Sequence, residues 1–282
     1  MNKFKTILKN IGVIILSIIV FIPGSLIQNT ILTIFNFQNL ACIISCILRI
    51  TITVLLAWLI SAKVLKIDAE TLGLKLKTIK LPLIILAILL PLLILLFYAY
   101  ILPGKPYVTK EGKLLNSLIN GFFNTGLPAG ICEELIFRGM IFRYMKKTLG
   151  QKAAVIIPAV LFACLHILNM QTFNLLDLIL LILAGSSVAV MFTFFALNSD
   201  SIWPGALAHS LWNFLIIGNL FGIGEIVNGK PNASYIIIPV KSASKLLTGG
   251  NFGVEAALPS IIGYILVSIC IYLIGKNKKE II

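Results

Sequence analysis

Eight long apolar stretches follow one another along the chain, and each can cross a membrane as a helix. A hydrocarbon core takes about 20 helical residues. Charged residues make up only 12% of the sequence, about half the share that a soluble domain carries. The sequence therefore predicts an all-α, polytopic membrane protein with about eight transmembrane helices. The expected spans cover residues 11–32, 40–62, 79–102, 116–142, 153–169, 175–197, 202–221 and 257–275.

The basic residues predict the orientation, because cytoplasmic loops retain Lys and Arg. Of the 23 basic residues, 15 fall on the side of the N-terminus, 6 on the opposite side and 2 within spans. We therefore expect a multi-pass protein of the cell membrane with both termini in the cytoplasm. The net charge of +13 then reflects loops that contact anionic lipid. Because these residues are dispersed without aromatic interleaving, we expect no nucleic-acid partner.

The distribution of ionisable residues predicts three regions. Residues 1–110 form three spans in which Arg49 is the only ionisable side chain at membrane depth. Residues 111–221 form four closely spaced spans that contain every buried carboxylate and imidazole, so we expect a four-helix catalytic core there. Residues 222–282 form an extracytoplasmic loop and a last span. The loop, 222–256, either caps the site or merely connects two helices.

Two adjacent acids and the only two histidines of the chain lie within the core spans. Ionisable groups in a bilayer cost several kcal/mol each unless they are paired or hydrated. Arg138 follows Glu134 by one helical turn and is predicted to neutralise it. Glu133 then lacks a local partner, which a histidine from another helix can provide. His166 and His209 are the two candidates.

Helical depth predicts that these side chains converge. At 1.5 Å per residue from the nearest cytoplasmic flank, Glu133 lies at about 15 Å and His166 at about 21 Å. His209 and Asn213 lie at about 12 and 18 Å on the same count. All four therefore fall in the middle of a core about 30 Å thick. This common depth indicates a polar site buried in the membrane.

Three motifs lie on successive spans of the core, in the order Glu133-Glu134-x-x-x-Arg138, Phe162-x-x-x-His166 and His209-x-x-x-Asn213. Together they resemble the signature of the CPBP family of CAAX proteases and bacteriocin-processing enzymes. The resemblance covers about residues 116–216. It implies an intramembrane endopeptidase, similar to the type II CAAX prenyl endopeptidases, whose substrate is a peptide or lipidated protein in the membrane.

The resemblance also implies a role for each motif residue. Glu133 and His166 are expected to activate the attacking water, and His209 with Asn213 to hold the oxyanion of the tetrahedral intermediate. The remaining acid and the arginine of the first motif, Glu134 and Arg138, are expected to act as supporting charges.

Other uses of the same residues stay open at this level. Glu133 or Glu134 with His166 and His209 matches a catalytic zinc set with an open position, although there is no H-E-x-x-H helix. An acyl-transfer enzyme acting on a membrane peptide or lipoprotein would use the same base and oxyanion donors. A non-catalytic immunity or scaffold protein and a proton-coupled transporter are further alternatives. The sequence specifies neither the substrate, nor the bond cleaved, nor the oligomeric state.

Overall fold

The structure of the protein is a computed structural model. This structure describes residues 3–36, 38–66, 68–101, 105–109, 113–170, 173–224, 226–227, 230–231, 234–242 and 244–276. Residues 102–104 of the expected outer loop and the basic tail residues Lys278 and Lys279 lie outside this part. The α-helices of the described residues are α1 (Lys3–Ile34), α2 (Asn39–Ile60), α3 (Leu81–Leu96), α4 (Leu114–Ile119), α5 (Leu127–Glu134), α6 (Phe142–Leu149), α7 (Gln151–His166), α8 (Leu175–Ser199), α9 (Trp203–Trp212), α10 (Lys245–Thr248) and α11 (Leu258–Gly275).

Helices of other types extend or connect these elements. Five stretches are π-helical: Ser61–Leu65, Phe97–Ile101, Asn120–Gly126, Leu135–Ile141 and Asn213–Ile217. Four are short 3-10 helices: Ala69–Leu72, Ile167–Asn169, Gly250–Phe252 and Val254–Ala256. The short strands are β1 (Tyr107–Val108), β2 (Phe221–Ile223), β3 (Ile226–Val227), β4 (Lys230–Pro231) and β5 (Ile236–Ile238). β5 pairs antiparallel with β1 and parallel with β2, whereas β3 and β4 form a separate antiparallel pair.

Six helices in the described part of the chain are long and apolar enough to cross a membrane. They are Phe4–Ile34, Asn39–Leu65, Leu81–Ile101, Gln151–Asn169, Leu175–Ser199 and Leu258–Gly275. The protein is therefore an all-α, polytopic membrane protein, as predicted. The expected spans 116–142 and 202–221 are helical but are not among the six. The first contains three charged residues, and the second has only 10 α-helical residues followed by 5 π-helical ones.

Two apolar cores flank the helices that carry the candidate residues. One core joins α3, α8, α9 and α11 around side chains such as Phe195 and Tyr264. The other joins α1, α7 and the Leu135–Ile141 turn around Met140 and Phe162. Large apolar side chains remain exposed along α1, α2, α3 and α11, which is the arrangement that lipid contact requires. The polar residues thus lie between two apolar layers.

Glycine at position 130 allows α5 and α9 to approach closely. A Cβ built at Gly130 would meet the Ser210 hydroxyl, and would lie 2.6 Å from the Ala206 carbonyl oxygen and 2.7 Å from the Ser210 amide nitrogen. Small residues let membrane helices approach in this way. Because α5 ends at Glu134 and α9 contains His209, this contact sets the distance between the first and third motifs.

We expect Gly130→Ala to lower stability by about 1–3 kcal/mol, because the added methyl group would overpack the contact between α5 and α9. The measurement is the unfolding temperature of purified protein in detergent. Gly12→Ala is the matched control, since a Cβ at Gly12 meets no atom within 4 Å. Equal unfolding temperatures for Gly130→Ala, Gly12→Ala and the parent would contradict the close packing.

Candidate active site

A buried ion pair joins two residues of the first motif, Glu134 and Arg138. The Nη1 group of Arg138 donates to Oε1 of Glu134 over 2.9 Å, and the two side chains are 2% and 0% exposed. The predicted one-turn pairing is therefore confirmed. Nη2 of Arg138 also donates to the Ala189 carbonyl oxygen of α8 over 2.9 Å. The guanidinium carbon lies 5.1–5.7 Å from the ring centres of Phe137, Phe162 and Phe192.

The same carboxylate oxygen orients His209. Nδ1–H of His209 donates to Oε1 of Glu134 over 3.0 Å, because an ionised carboxylate can only accept. Phe192 of α8 stacks on the imidazole with ring centres 4.9 Å apart and an interplanar angle of 15°. Nε2 therefore points away from Glu134 and lies 3.9 Å from Oε2 of Glu133. A histidine from another helix does approach Glu133, as predicted.

His166 is held in the same tautomer by a backbone group. Its Nδ1–H donates to the Phe162 carbonyl oxygen over 2.7 Å, since a carbonyl oxygen is only an acceptor. The ring lies against the Phe162 ring, with centres 4.6 Å apart. In the neutral form both imidazoles thus present Nε2 as an acceptor. His209 can donate from Nε2 to an oxyanion only when it is protonated.

A cavity of about 340 Å³, here called the site cavity, collects the predicted groups. Glu133, His166, His209 and Asn213 all line it, so the structure brings together the four residues expected to share one depth. Glu134 and Arg138 do not line it, and they lie behind His209 as its support. The volume falls in the usual range for a ligand site.

An apolar side cavity of about 190 Å³ adjoins the site cavity and shares Glu133, Phe162, His166 and Asn169 with it. Its other walls come from α1, from α7 and from the residues around Phe137. They are Ile18, Phe21, Ile136, Phe137 and Leu165. An apolar group can therefore lie in the side cavity while a bond next to it reaches Glu133.

The loop 222–256 caps the site cavity, which is one of the two roles that the sequence left open. Its last part, residues 244–256, is here called the cap segment. Asn251, Phe252 and Glu255 of the cap segment line the cavity. Asp177 at the start of α8 holds this segment, because it pairs with Lys245 Nζ at 2.9 Å and accepts from the Asn251 amide at 3.4 Å.

The sequence did not predict two of the residues that line the site cavity, Phe192 and Glu255. Phe192 lies within a uniformly apolar helix, so nothing in the sequence distinguishes it from a packing residue. Glu255 belongs to the loop before α11, and its only signal is that it is an acid directly before an apolar span. Burial raises the pKa of the Glu255 carboxyl to about 7, a rise that His209 opposes and the charge of Glu133 increases.

The donor set does not fit the zinc alternative in this arrangement. Within the described residues, no group of three His, Cys, Asp or Glu side chains comes close enough together to hold a metal ion. Glu133 and His209 are 3.9 Å apart, but no third ligand joins them there. In the described part of the chain, the two histidines and the glutamate are therefore not assembled as a metal site.

Removal of the arginine from the buried pair should be costly. We expect Arg138→Leu to destabilise the protein by about 3–5 kcal/mol, because Glu134 would remain buried without its cation. The unfolding temperature in detergent and the yield should both fall, and Arg138→Lys should recover only part of the loss because it lacks the second donor to Ala189. If Arg138→Leu and Glu134→Gln were both as stable as the parent, the pair would not support the fold.

Comparison with known proteins agrees with the motif resemblance. Residues 115–215 match the family model described as "Type II CAAX prenyl endopeptidase Rce1-like", which is roughly a third of the chain. No curated protein and no solved structure matched. The matched stretch runs from α4 to the π-helical turn after α9, and it contains all six predicted site residues but neither α1 nor Glu255. Residues 115–215 of this polytopic membrane protein are therefore similar to the type II CAAX prenyl endopeptidase Rce1-like family.

Proposed function

We propose that the protein is an intramembrane endopeptidase that hydrolyses a membrane-associated peptide or a lipidated protein with water activated by Glu133. One observation carries the proposal. Of two adjacent carboxylates, Glu134 is neutralised by Arg138, whereas Glu133 faces the site cavity and is 22% exposed there. A carboxylate that faces a cavity beside an imidazole is suited to general-base catalysis. The family match supports the same reaction class.

Two acceptors can orient one water for attack. In the proposed reaction, the water donates one proton toward Glu133 and the other toward Nε2 of His166. Its remaining lone pair attacks the substrate carbonyl, and Glu133 takes a proton as the new C–O bond forms. The hydrogen bond from His166 to the Phe162 carbonyl oxygen supports this step, because it fixes the lone pair on Nε2.

The oxyanion of the tetrahedral intermediate requires hydrogen-bond donors that stabilise its charge. The side-chain amide of Asn213 lines the site cavity and can donate without any change of protonation. His209 donates from Nε2 when it is protonated, and its Nδ1–H stays bonded to Glu134 in that form as well. Donors of this kind lower the barrier by about 3–4 kcal/mol apiece.

The apolar side cavity supports a substrate with an apolar group close to the cleaved bond. Ile18 and Phe21 come from α1, so the first helix would form part of the substrate path. A large apolar side chain or part of a lipid chain would suit this volume. Both a prenylated and an unmodified substrate can offer such an apolar group.

We further propose that the protein lies in the cell membrane with both termini in the cytoplasm, in accordance with the distribution of basic residues. The cap segment is then extracytoplasmic. The turn at the opposite end of α8 is then cytoplasmic, where Asp200 contacts Arg143 at 2.7 Å and Lys75 at 3.7 Å. Anionic lipid is the expected partner of the remaining basic side chains on that side.

Glu133→Gln should abolish turnover and preserve folding, because the amide keeps the shape but cannot accept the proton. The measurement is mass spectrometry of peptides from membranes of cells that produce the parent or the variant. Peptides with new termini should require the parent. Asp68→Asn is the control, since it removes an exposed carboxylate outside the cavity. New termini in equal amounts with Glu133→Gln would overturn the proposal.

Alanine substitutions of the other cavity residues should differ in how strongly they reduce turnover. His166→Ala should abolish turnover as well, whereas His209→Ala and Asn213→Ala should each reduce the rate by about 100- to 1000-fold. Treatment of the purified parent with a chelator tests the zinc alternative. Activity should survive the chelator, and a reversible loss together with bound zinc would contradict the metal-free route.

A further inference from the structure

Glu255 is a third carboxylate at the site, and it comes from outside the matched domain. It lies in the short helix Val254–Ala256, directly before α11, and its side chain lines the site cavity with Glu133, His166 and His209. Nothing in the three motifs or in the proposed attack of water uses it. Its place in the cavity therefore requires its own explanation.

The backbone around Glu255 is fixed on both sides. The Ser260 hydroxyl donates to the Val254 carbonyl oxygen over 2.6 Å, and the Tyr264 hydroxyl donates to the Glu255 carbonyl oxygen over 3.3 Å. Earlier in the cap segment, Asp177 holds Asn251. The carboxyl is therefore presented to the cavity from a position that the fold determines.

The charges that face Glu255 leave it without a permanent cation. Among the described residues that line the cavity there is no Lys or Arg. The groups that face it are Glu133 from α5, His166 from α7, His209 from α9 and Tyr264 from α11. Glu133 and Glu255 line the same cavity, and the charge of Glu133 disfavours ionisation of Glu255. With its pKa raised to about 7 by burial, the Glu255 carboxyl is about half protonated at neutral pH and mostly protonated below it.

We propose that Glu255 is a further catalytic residue, the acid that protonates the leaving amine when a peptide bond is cleaved in the site cavity. This inference rests on the proposed function, in which Glu133 activates the water. Peptide hydrolysis needs both steps, because an amide nitrogen leaves poorly as an anion. The two carboxylates then have opposite tasks in one cavity.

Every proton and electron pair in the proposed reaction has a defined origin and destination. Water oxygen forms the new C–O bond, and Glu133 accepts one water proton. The tetrahedral intermediate then collapses, the C–N bond breaks, and its electron pair remains on nitrogen, which takes the proton from Glu255. The products are an amine and a carboxylic acid, with Glu133 protonated and Glu255 ionised. Proton transfer from Glu133 to Glu255 through cavity water restores the starting state.

The test compares two leaving groups. The probes are synthetic copies of a peptide whose terminus depends on the parent protein in the membrane comparison, with either an amide or a thioester at the cleaved bond. A thiolate leaves without prior protonation, since thiols ionise near neutral pH. Glu255→Gln should therefore reduce kcat for the amide by at least about 100-fold and leave the thioester rate within a few-fold of the parent. Glu133→Gln should lose both activities.

The pH profile gives a second readout. The amide rate of the parent should fall as pH rises through about 7, because the acid loses its proton there. Thioester cleavage by the parent should lack this decline, and so should the residual amide cleavage by Glu255→Gln. KM and the unfolding temperature of Glu255→Gln should match the parent, since glutamine keeps the side-chain shape. Asp177→Asn, which loosens the cap segment, should affect both probes alike.

Three outcomes would overturn the inference. Full amide activity in Glu255→Gln would show that the proton comes from elsewhere. Equal losses for amide and thioester would mean that Glu255 only shapes the cavity, and a change confined to KM would mean that it only binds substrate. In each case Glu133→Gln would still be inactive and the proposed function would stand. Absence of any cleavage by the parent would instead overturn the proposed function, and this inference with it.

Discussion

The buried ion pair between Glu134 and Arg138 is the interaction on which the site depends. One carboxylate oxygen accepts from Arg138 at 2.9 Å and from His209 at 3.0 Å, while Arg138 also reaches the Ala189 carbonyl oxygen of α8. Three helical segments are therefore joined through one carboxylate. Additional hydrogen bonds stabilise a buried pair, and here the bond from His209 to the Glu134 carboxylate also sets the orientation of the imidazole that faces the cavity.

The environment gives two neighbouring acids different tasks. Glu134 is fully buried and its charge is balanced, so it can only support. Glu133, one residue earlier, points into the site cavity toward Nε2 of His209. The pattern of carboxylates separated in role by their surroundings is common in hydrolytic sites. Glu255 extends it, because a loop beyond the core adds a carboxyl whose pKa is raised by burial.

Local patterns were predictable from the sequence, and long-range packing was not. The pairing of Glu134 with Arg138 follows from helical spacing, and the gathering of Glu133, His166, His209 and Asn213 follows from helical depth, although their roles stay predictions. The contributions of Phe192 and Glu255 depend on how α8 and the cap segment pack on α9, which no periodicity encodes. Six of the eight predicted spans are long and apolar enough to cross a membrane in the described part of the chain. The two helices that carry Glu133 and His209 are too polar or too short to be identified by length and composition.

The central claim is that Glu133 activates a water molecule for hydrolysis. The most direct measurement is cleavage by the purified parent in liposomes prepared in oxygen-18 water, with mass spectrometry of the new carboxyl terminus. The account predicts one oxygen-18 atom in each new terminus, and no such product from Glu133→Gln. A cleaved peptide without the label, joined to another acceptor, would contradict hydrolysis and would indicate acyl transfer instead.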